Sequence, residues 1–145
     1  MTTTQTRSRT DNHSIASISP TTHQARRAVA AVGLGGIALI HALDLPGKIK
    51  ETPYIGVGYI ALIVASLILA ETVLRRDDKL VWMAIGGLAL AVMAAFVVNR
   101  TTGLPGAMDD IGNWLEPLGL ASLVVEGMVL LTVVGRFTGK QSTFE

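Results

Sequence analysis

The sequence predicts an all-α polytopic membrane protein, a bundle of four transmembrane helices. Half of the 145 residues are hydrophobic and only 16% are charged. The apolar residues fall in four long, almost uncharged blocks, whereas a water-exposed fold spreads polar residues along the chain. Each block is close to the ~20 residues that a helix needs to cross a hydrocarbon core of ~30 Å. In lipid a backbone must satisfy its own hydrogen bonds, so helices are the expected form.

Residues 1–25 are rich in Ser and Thr, carry Arg7 and Arg9, and have almost nothing to bury. They read as a disordered tail. His13 and His23 in or beside this segment are isolated, without the supporting partners a metal ligand needs. The transmembrane domain is read as residues 26–136. Its first block, about Ala28–Leu45, follows Arg26 and Arg27 and is slightly short. It resembles a signal peptide in charge pattern, yet the segment before it is unusually long and no convincing small-x-small cleavage site follows before Asp44 and Pro46, so it reads as a retained helix. The second block, Tyr54–Leu74, follows Pro53, and the third is Leu80–Val98. The fourth, Ile111–Val134, has length to spare for tilt, and residues 137–145 form a short second tail. Ala61 and Ala65 mark one small-residue face and Gly87, Ala91 and Ala95 another, the spacing at which helices in lipid approach closely.

Charge sets the expected orientation. Of the twelve Lys and Arg residues, nine lie in the tails, at their junctions with the first and last helices (Arg26, Arg27 and Arg136) and in the Arg75–Lys79 turn, and only Lys48, Lys50 and Arg100 lie in the other two loops. The positive-inside rule therefore places both termini in the cytoplasm of a cell (plasma) membrane protein, with the Asp44–Thr52 and Asn99–Asn113 loops outside.

Several function classes are excluded or unsupported. The chain has no cysteine, which removes disulfides, thiolate metal sites, a catalytic thiol and S-acylation. A net charge of +1 gives no basis for nucleic acid binding. No nucleotide loop, hydrolase triad or zinc-protease motif is present. The sequence requires no cofactor and places no nucleophile–base pair, so an enzyme is the least supported class. The partner it does imply is the lipid bilayer, and a homodimer or larger membrane complex is compatible with it.

A weak internal repeat is visible. Gly35-Gly36-Ile37-Ala38-Leu39 parallels Gly86-Gly87-Leu88-Ala89-Leu90, and each leads to a Leu-Pro-Gly, at Leu45–Gly47 and Leu104–Gly106. Glu51, Pro53 and Gly56 then parallel Glu116, Pro117 and Gly119. This is the pattern of two parallel helical hairpins, with any shared site on the axis between them.

The informative polar residues gather at the outer end: His41, Asp44, Glu51, Asn99, Arg100, Asp109, Asp110 and Glu116. His41 lies about one turn inside the first helix. A neutral histidine there needs a partner for its ring N–H and titrates near physiological pH. His41, Glu51 and Glu116 are acceptable metal ligand types, but no His-x-x-x-His or Glu-x-x-His spacing supports a metal, and a structural hydrogen bond from His41 to a carboxylate is the competing expectation. Glu51 and Glu116 precede Pro53 and Pro117, where a carboxylate and a proline suit the starts of helices two and four. Asp109, Asp110, Lys48 and Lys50 read as solvated charges, and Arg100 and Trp114 as interfacial anchors. Glu126 is the costliest residue. Counted from Trp114 it lies about 18 Å deep, so it is expected to be protonated or hydrogen-bonded, in a layer with Gly33, Ser66 and Gly86-Gly87. Glu71 has a local ion-pair explanation in Arg75 and Arg76.

From about Gly35 to Glu126 the chain resembles a group of small four-helix membrane proteins found mostly in actinobacteria. The likeness rests on His41 with Pro46 and Glu51, on Arg100-Thr101-x-Gly103-Leu104-Pro105, and on Glu116-Pro117-x-Gly119 with Glu126 beyond. Lys48 lies where such proteins often carry a second histidine, and Ser122 where they tend to carry an acid. The resemblance implies the topology and an outward polar cluster, and nothing catalytic. The leading expectation is a non-enzymatic binding or accessory membrane protein whose site uses His41, Glu51, Asn99, Arg100, Glu116 and the deeper Glu126. The rival is a small proton-coupled transporter, acting as a homodimer through Glu126.

Overall fold

A computed structural model describes residues 20–138; residues 1–19 and 139–145, most of the expected tails, lie outside the described part. Four α-helices are present: α1 (Pro20–Glu51), α2 (Pro53–Arg75), α3 (Lys79–Thr101) and α4 (Pro117–Thr138). A short 3-10 turn, Met108–Asp110, sits between α3 and α4. All four helices are long and apolar enough to cross a membrane, in agreement with the all-helical bundle the sequence predicts.

The boundaries of two helices differ from expectation. α1 does not stop at Leu45 but runs through Pro46 to Glu51, 32 residues in all, or about 48 Å. Pro46 removes one N–H from the ladder, yet the following turn still closes, with Thr52 N–H donating to Lys48 O at 2.9 Å. It also begins at Pro20, inside the segment read as tail. α4 starts at Pro117, six residues later than expected, because Ile111–Glu116 is used in turns. A proline opens α2 and α4, where a missing N–H costs nothing. Asp78 caps α3, its side chain accepting from Leu80 N–H at 3.0 Å. α3 ends at Thr101, and just beyond its cap Gly103, with a φ of +74°, turns its N–H back to Val98 O at 3.1 Å.

The helices form a ring in chain order. α1 packs on α2 and α4, and α3 packs on α4, while α2 and α3 approach least; no close backbone approach crosses either diagonal among the described residues. The tight pairs are made by glycines. Along α4, Val125, Val129 and Val133 recur every fourth residue. A Cβ at Gly36 or Gly86 would come within 3.2 Å of Val125 or Val133, and one at Gly33 within 2.5 Å of Val129. These knobs sit on bare backbone, the close approach that dispersion-driven packing in lipid requires. At Gly56 an added Cβ would meet the Ile49 backbone at 2.9 Å, so the α1–α2 hairpin closes through the single residue Thr52. Gly87 faces open space, so of the Gly86-Gly87 pair it is Gly86, not Gly87 as expected from spacing, that makes the contact.

The end bearing the termini is tied by Asp77. It accepts from Trp82 Nε1 at 2.8 Å and Arg136 Nε at 3.1 Å, and lies 3.4 Å from His23 Nδ1. Arg27 reaches across from α1 and donates to the final carbonyls of α2, at Val73 and Leu74. Glu71 pairs with Arg75, as expected. Burial pushes the Asp77 carboxyl up, but the Trp82, Arg136 and His23 contacts outweigh it and hold it below the ordinary carboxylate range. A carboxyl depressed in the folded state stabilises above its unfolded pKa of about 3.9 and loses that contribution as pH falls through the lower folded value. Thermal melts in detergent are therefore expected to fall in midpoint below about pH 4, and Asp77→Asn to melt lower at neutral pH with a shallower acid decline. An unchanged acid slope in that variant would remove Asp77 from the cause.

Candidate functional site

The weak contact between α2 and α3 leaves a cavity of about 710 Å³ in the half of the bundle away from the termini. That volume lies within the ~300–1,000 Å³ typical of small-molecule sites. All four helices and the α3–α4 loop contribute to its lining. Ala61 and Ala65 on α2, with Ala91 and Ala95 on α3, line its apolar half. The sequence reading took these alanines as packing faces; the structure makes them facing walls of a space.

The polar half is organised around Asp110, which the sequence reading treated as a solvated loop charge. Asp110 instead accepts from Asn99 Nδ2 at 2.8 Å, from Arg100 Nη1 at 2.8 Å and from Lys48 Nζ at 3.2 Å. It thereby clamps α1, α3 and the loop together. Lys48, also expected at the surface, has only 16% of its side chain exposed and makes a second pair with Glu51 at 3.6 Å. Burial pushes the Asp110 carboxyl up, but the bonds from Asn99 and Lys48, the Lys48 charge and the Arg100 bond together hold it below the ordinary range. Asp110 is therefore a carboxylate at neutral pH, as its three donors require.

Arg100 is buried, not an interfacial anchor reaching for water. Its Nη1 also meets Asp110 O at 3.2 Å, its Nη2 lies 3.5 Å from Glu116, and its guanidinium sits 5.1 Å from the Phe96 ring centroid. Phe96 in turn meets Trp114 edge-on, the two ring centroids 6.1 Å apart. Nε of Arg100 and Oδ1 of Asn99 are buried without a hydrogen-bond partner. Glu116 does two jobs. It accepts from the N–H groups of Leu118 (2.9 Å) and Gly119 (2.6 Å), capping α4 as its position before Pro117 suggested, and it faces Arg100.

His41 is buried and lines the cavity, but its partner is not the carboxylate the sequence suggested. Nδ1 lies 2.9 Å from Ile37 O, one turn back along α1. A carbonyl can only accept, so Nδ1 carries the proton and Nε2 of the neutral ring is an acceptor. The ring edge packs on Tyr59 at 4.8 Å, and Tyr59 donates to Asp44 at 3.0 Å. Tyr59 was missed by the sequence reading. His41 and Asp44, three apart on one helix face, were the available sign of it.

Glu51 departs most from expectation. It does not open helix two but ends α1, with 68% of its side chain exposed at the cavity rim. His41, Glu51 and Glu116 all border the cavity, yet no group of three His, Asp or Glu side chains converges to hold a metal ion among the described residues. The repeat is not reflected at this end either: Leu45-Pro46-Gly47 lies inside α1, whereas Leu104-Pro105-Gly106 lies in a loop. That loop is tied down by Thr52, which donates to Gly106 O at 3.2 Å, and Tyr54, which donates to Pro105 O at 2.7 Å.

Glu126 is buried as expected, but about 14 Å along α4 from Pro117, less than the depth counted from Trp114, which lies outside the helix. Its Oε1 accepts from Ser122 Oγ at 2.6 Å, while Oε2 has no partner. Ser66 Oγ is also buried without one, and no hydrogen bond joins it to Glu126. Ser122 borders the cavity, so Glu126 stands one side chain behind its wall. Comparison of the chain with protein-family models, with curated proteins and with solved structures returns no significant match.

Proposed function

We propose that the chain is a non-enzymatic binding or accessory protein of the cell membrane, with both termini cytoplasmic and the polar end of the cavity at the outer surface. The observation that carries this reading is the cavity itself. It is largely apolar in its depths, ringed at one end by His41, Asp44, Lys48, Asn99, Arg100 and Glu116, and has unpartnered polar atoms in its wall. Buried polar groups without partners are costly, and a ligand that satisfies them recovers that cost. The orientation rests on the distribution of Lys and Arg. Membership of the small four-helix actinobacterial group is part of the same proposal and rests on the Arg-Thr-x-Gly-Leu-Pro and Glu-Pro-x-Gly segments.

Native mass spectra of protein extracted gently from its own membranes test the reading. A stoichiometric small-molecule mass, reduced in the Glu116→Gln variant, is expected. A stoichiometric second protein would make the chain an accessory subunit instead. A bare chain at every detergent concentration would overturn the ligand site.

A second reading is a proton-coupled transporter acting as a homodimer. The buried Glu126, joined to the cavity wall through Ser122, favours it. Proton-driven uptake in liposomes by Glu126→Gln that equals wild type would remove Glu126 from such a mechanism.

A further inference from the structure

We infer that the cavity takes a single-chain amphiphile that enters from the bilayer between α2 and α3, with a head that is not anionic and donates hydrogen bonds. The inference rests on the reading of the cavity as a ligand site and adds the ligand's chemistry and its route. Three observations carry it.

The route follows from the ring of helices. α2 and α3 are the neighbours that touch least, and the residues they present to the cavity are alanines: Ala61 and Ala65 on one side, Ala91 and Ala95 on the other. Ala61, Ala91 and Ala95 are exposed, and the helices that carry them are apolar enough to lie in lipid. Small, exposed, apolar side chains at the weakest helix contact make a seam through which an apolar chain passes from the hydrocarbon to the cavity without meeting water. An aqueous entrance is narrowed at the polar end, where Thr52 and Tyr54 hold the α3–α4 loop down and Asp110 ties it to Lys48 and Arg100.

The head chemistry follows from the atoms left over. His41 is buried at the wall, with Nδ1–H committed to Ile37 O, and Nε2 makes no hydrogen bond among the described residues. Asn99 spends its N–H on Asp110 and leaves Oδ1 buried and unpartnered. Both are acceptors, and Arg100 Nε in the same wall is a buried donor without a partner, so the complementary head carries hydroxyl groups, which donate and also accept. Charge points the same way. Asp44, Glu51, Asp110 and Glu116 border the cavity against Lys48 and Arg100, and both of those cations are already paired. A phosphate or carboxylate head would enter a surplus of negative charge and find no free cation. A polyol or alcohol head meets neither obstacle.

The test uses the full-length protein in detergent with three probes read by native mass spectrometry: monoolein, with a diol head; oleate, with an anionic head on the same chain; and free glycerol, the head without a chain. One-to-one binding of monoolein is expected, at least tenfold tighter than oleate, with no glycerol bound. His41→Phe keeps a ring of similar size and deletes the acceptor, and is expected to weaken monoolein about tenfold, the scale of one net hydrogen bond. Should that variant fold poorly, Ala95→Leu, which fills the exposed wall without touching a polar group, is expected to slow monoolein uptake by a similar factor. Oleate binding as well as monoolein would overturn the head assignment. Glycerol binding equally well, or a co-purified ligand that is fully water-soluble, would overturn the bilayer route while leaving the cavity as a ligand site. Absence of both probe binding and a co-purified ligand would overturn the proposed function with it.

Discussion

Asp110→Ala is expected to destabilise the protein by about 2–4 kcal/mol, the largest effect of any single substitution in the α3–α4 loop. The reason is what the change leaves behind. Arg100 is 6% exposed, and losing the Asp110 carboxylate leaves its Nη1 only the backbone O of residue 110, 3.2 Å away, while also releasing Asn99 Nδ2 and Lys48 Nζ. Breaking a buried pair from one side costs about 3–5 kcal/mol in isolation. Glu116, 3.5 Å from Nη2, remains to moderate that cost. Asp110→Asn keeps the shape but not the charge and is expected to fall between Asp110→Ala and the wild type. Chemical unfolding in mixed micelles measures both, and a loss below about 0.5 kcal/mol for Asp110→Ala, the range of an ordinary surface change, would mean that the clamp contributes nothing to holding α1 and α3 together.

Gly33→Ala is expected to cost about 1–3 kcal/mol, the usual penalty for overpacking a tight contact. The new Cβ would fall 2.5 Å from Val129 Cγ2. Val129 is β-branched with restricted χ1, and is itself buried, so it cannot swing aside and the α1–α4 pair must separate. Gly35, two residues on, faces open space. Gly35→Ala is accordingly expected to be neutral or to stabilise by up to about 1 kcal/mol through reduced backbone entropy in the unfolded state. The pair, measured together, separates helix propensity from packing. Equal effects at the two positions would contradict the α4 ridge of Val125, Val129 and Val133 as the element that seats on α1 and α3.

Both expectations draw on contacts that no local pattern reveals. Four spans were legible in the sequence because hydrocarbon thickness and backbone hydrogen bonding impose length and helicity one segment at a time. The cap at Glu116, the buried acid at Glu126 and the gathering of polar residues at one end were legible for the same reason: each depends on position along a single helix. The helix ends were less so. Pro46 signals a break, but the neighbouring turns tolerate one missing N–H, and α1 continues to Glu51. That continuation carries Glu51 out to the cavity rim and turns Lys48 inward to Asp110.

What the sequence by itself determined is an all-helical chain with four membrane-length spans and the polar end where its site residues gather, since these follow from residue type and spacing. The tertiary structure alone decided which small residues pack and which are wall. Gly33, Gly36 and Gly86 receive α4, while the alanines of α2 and α3, which also recur at helix-packing spacing, stand apart and leave a cavity. It also decided that Asp110, 62 residues from Lys48, is the hub of the site. Spacing along one helix specifies a face, but the identity of the opposing helix, and the loop that folds over both, depend on how four such faces can be satisfied at once.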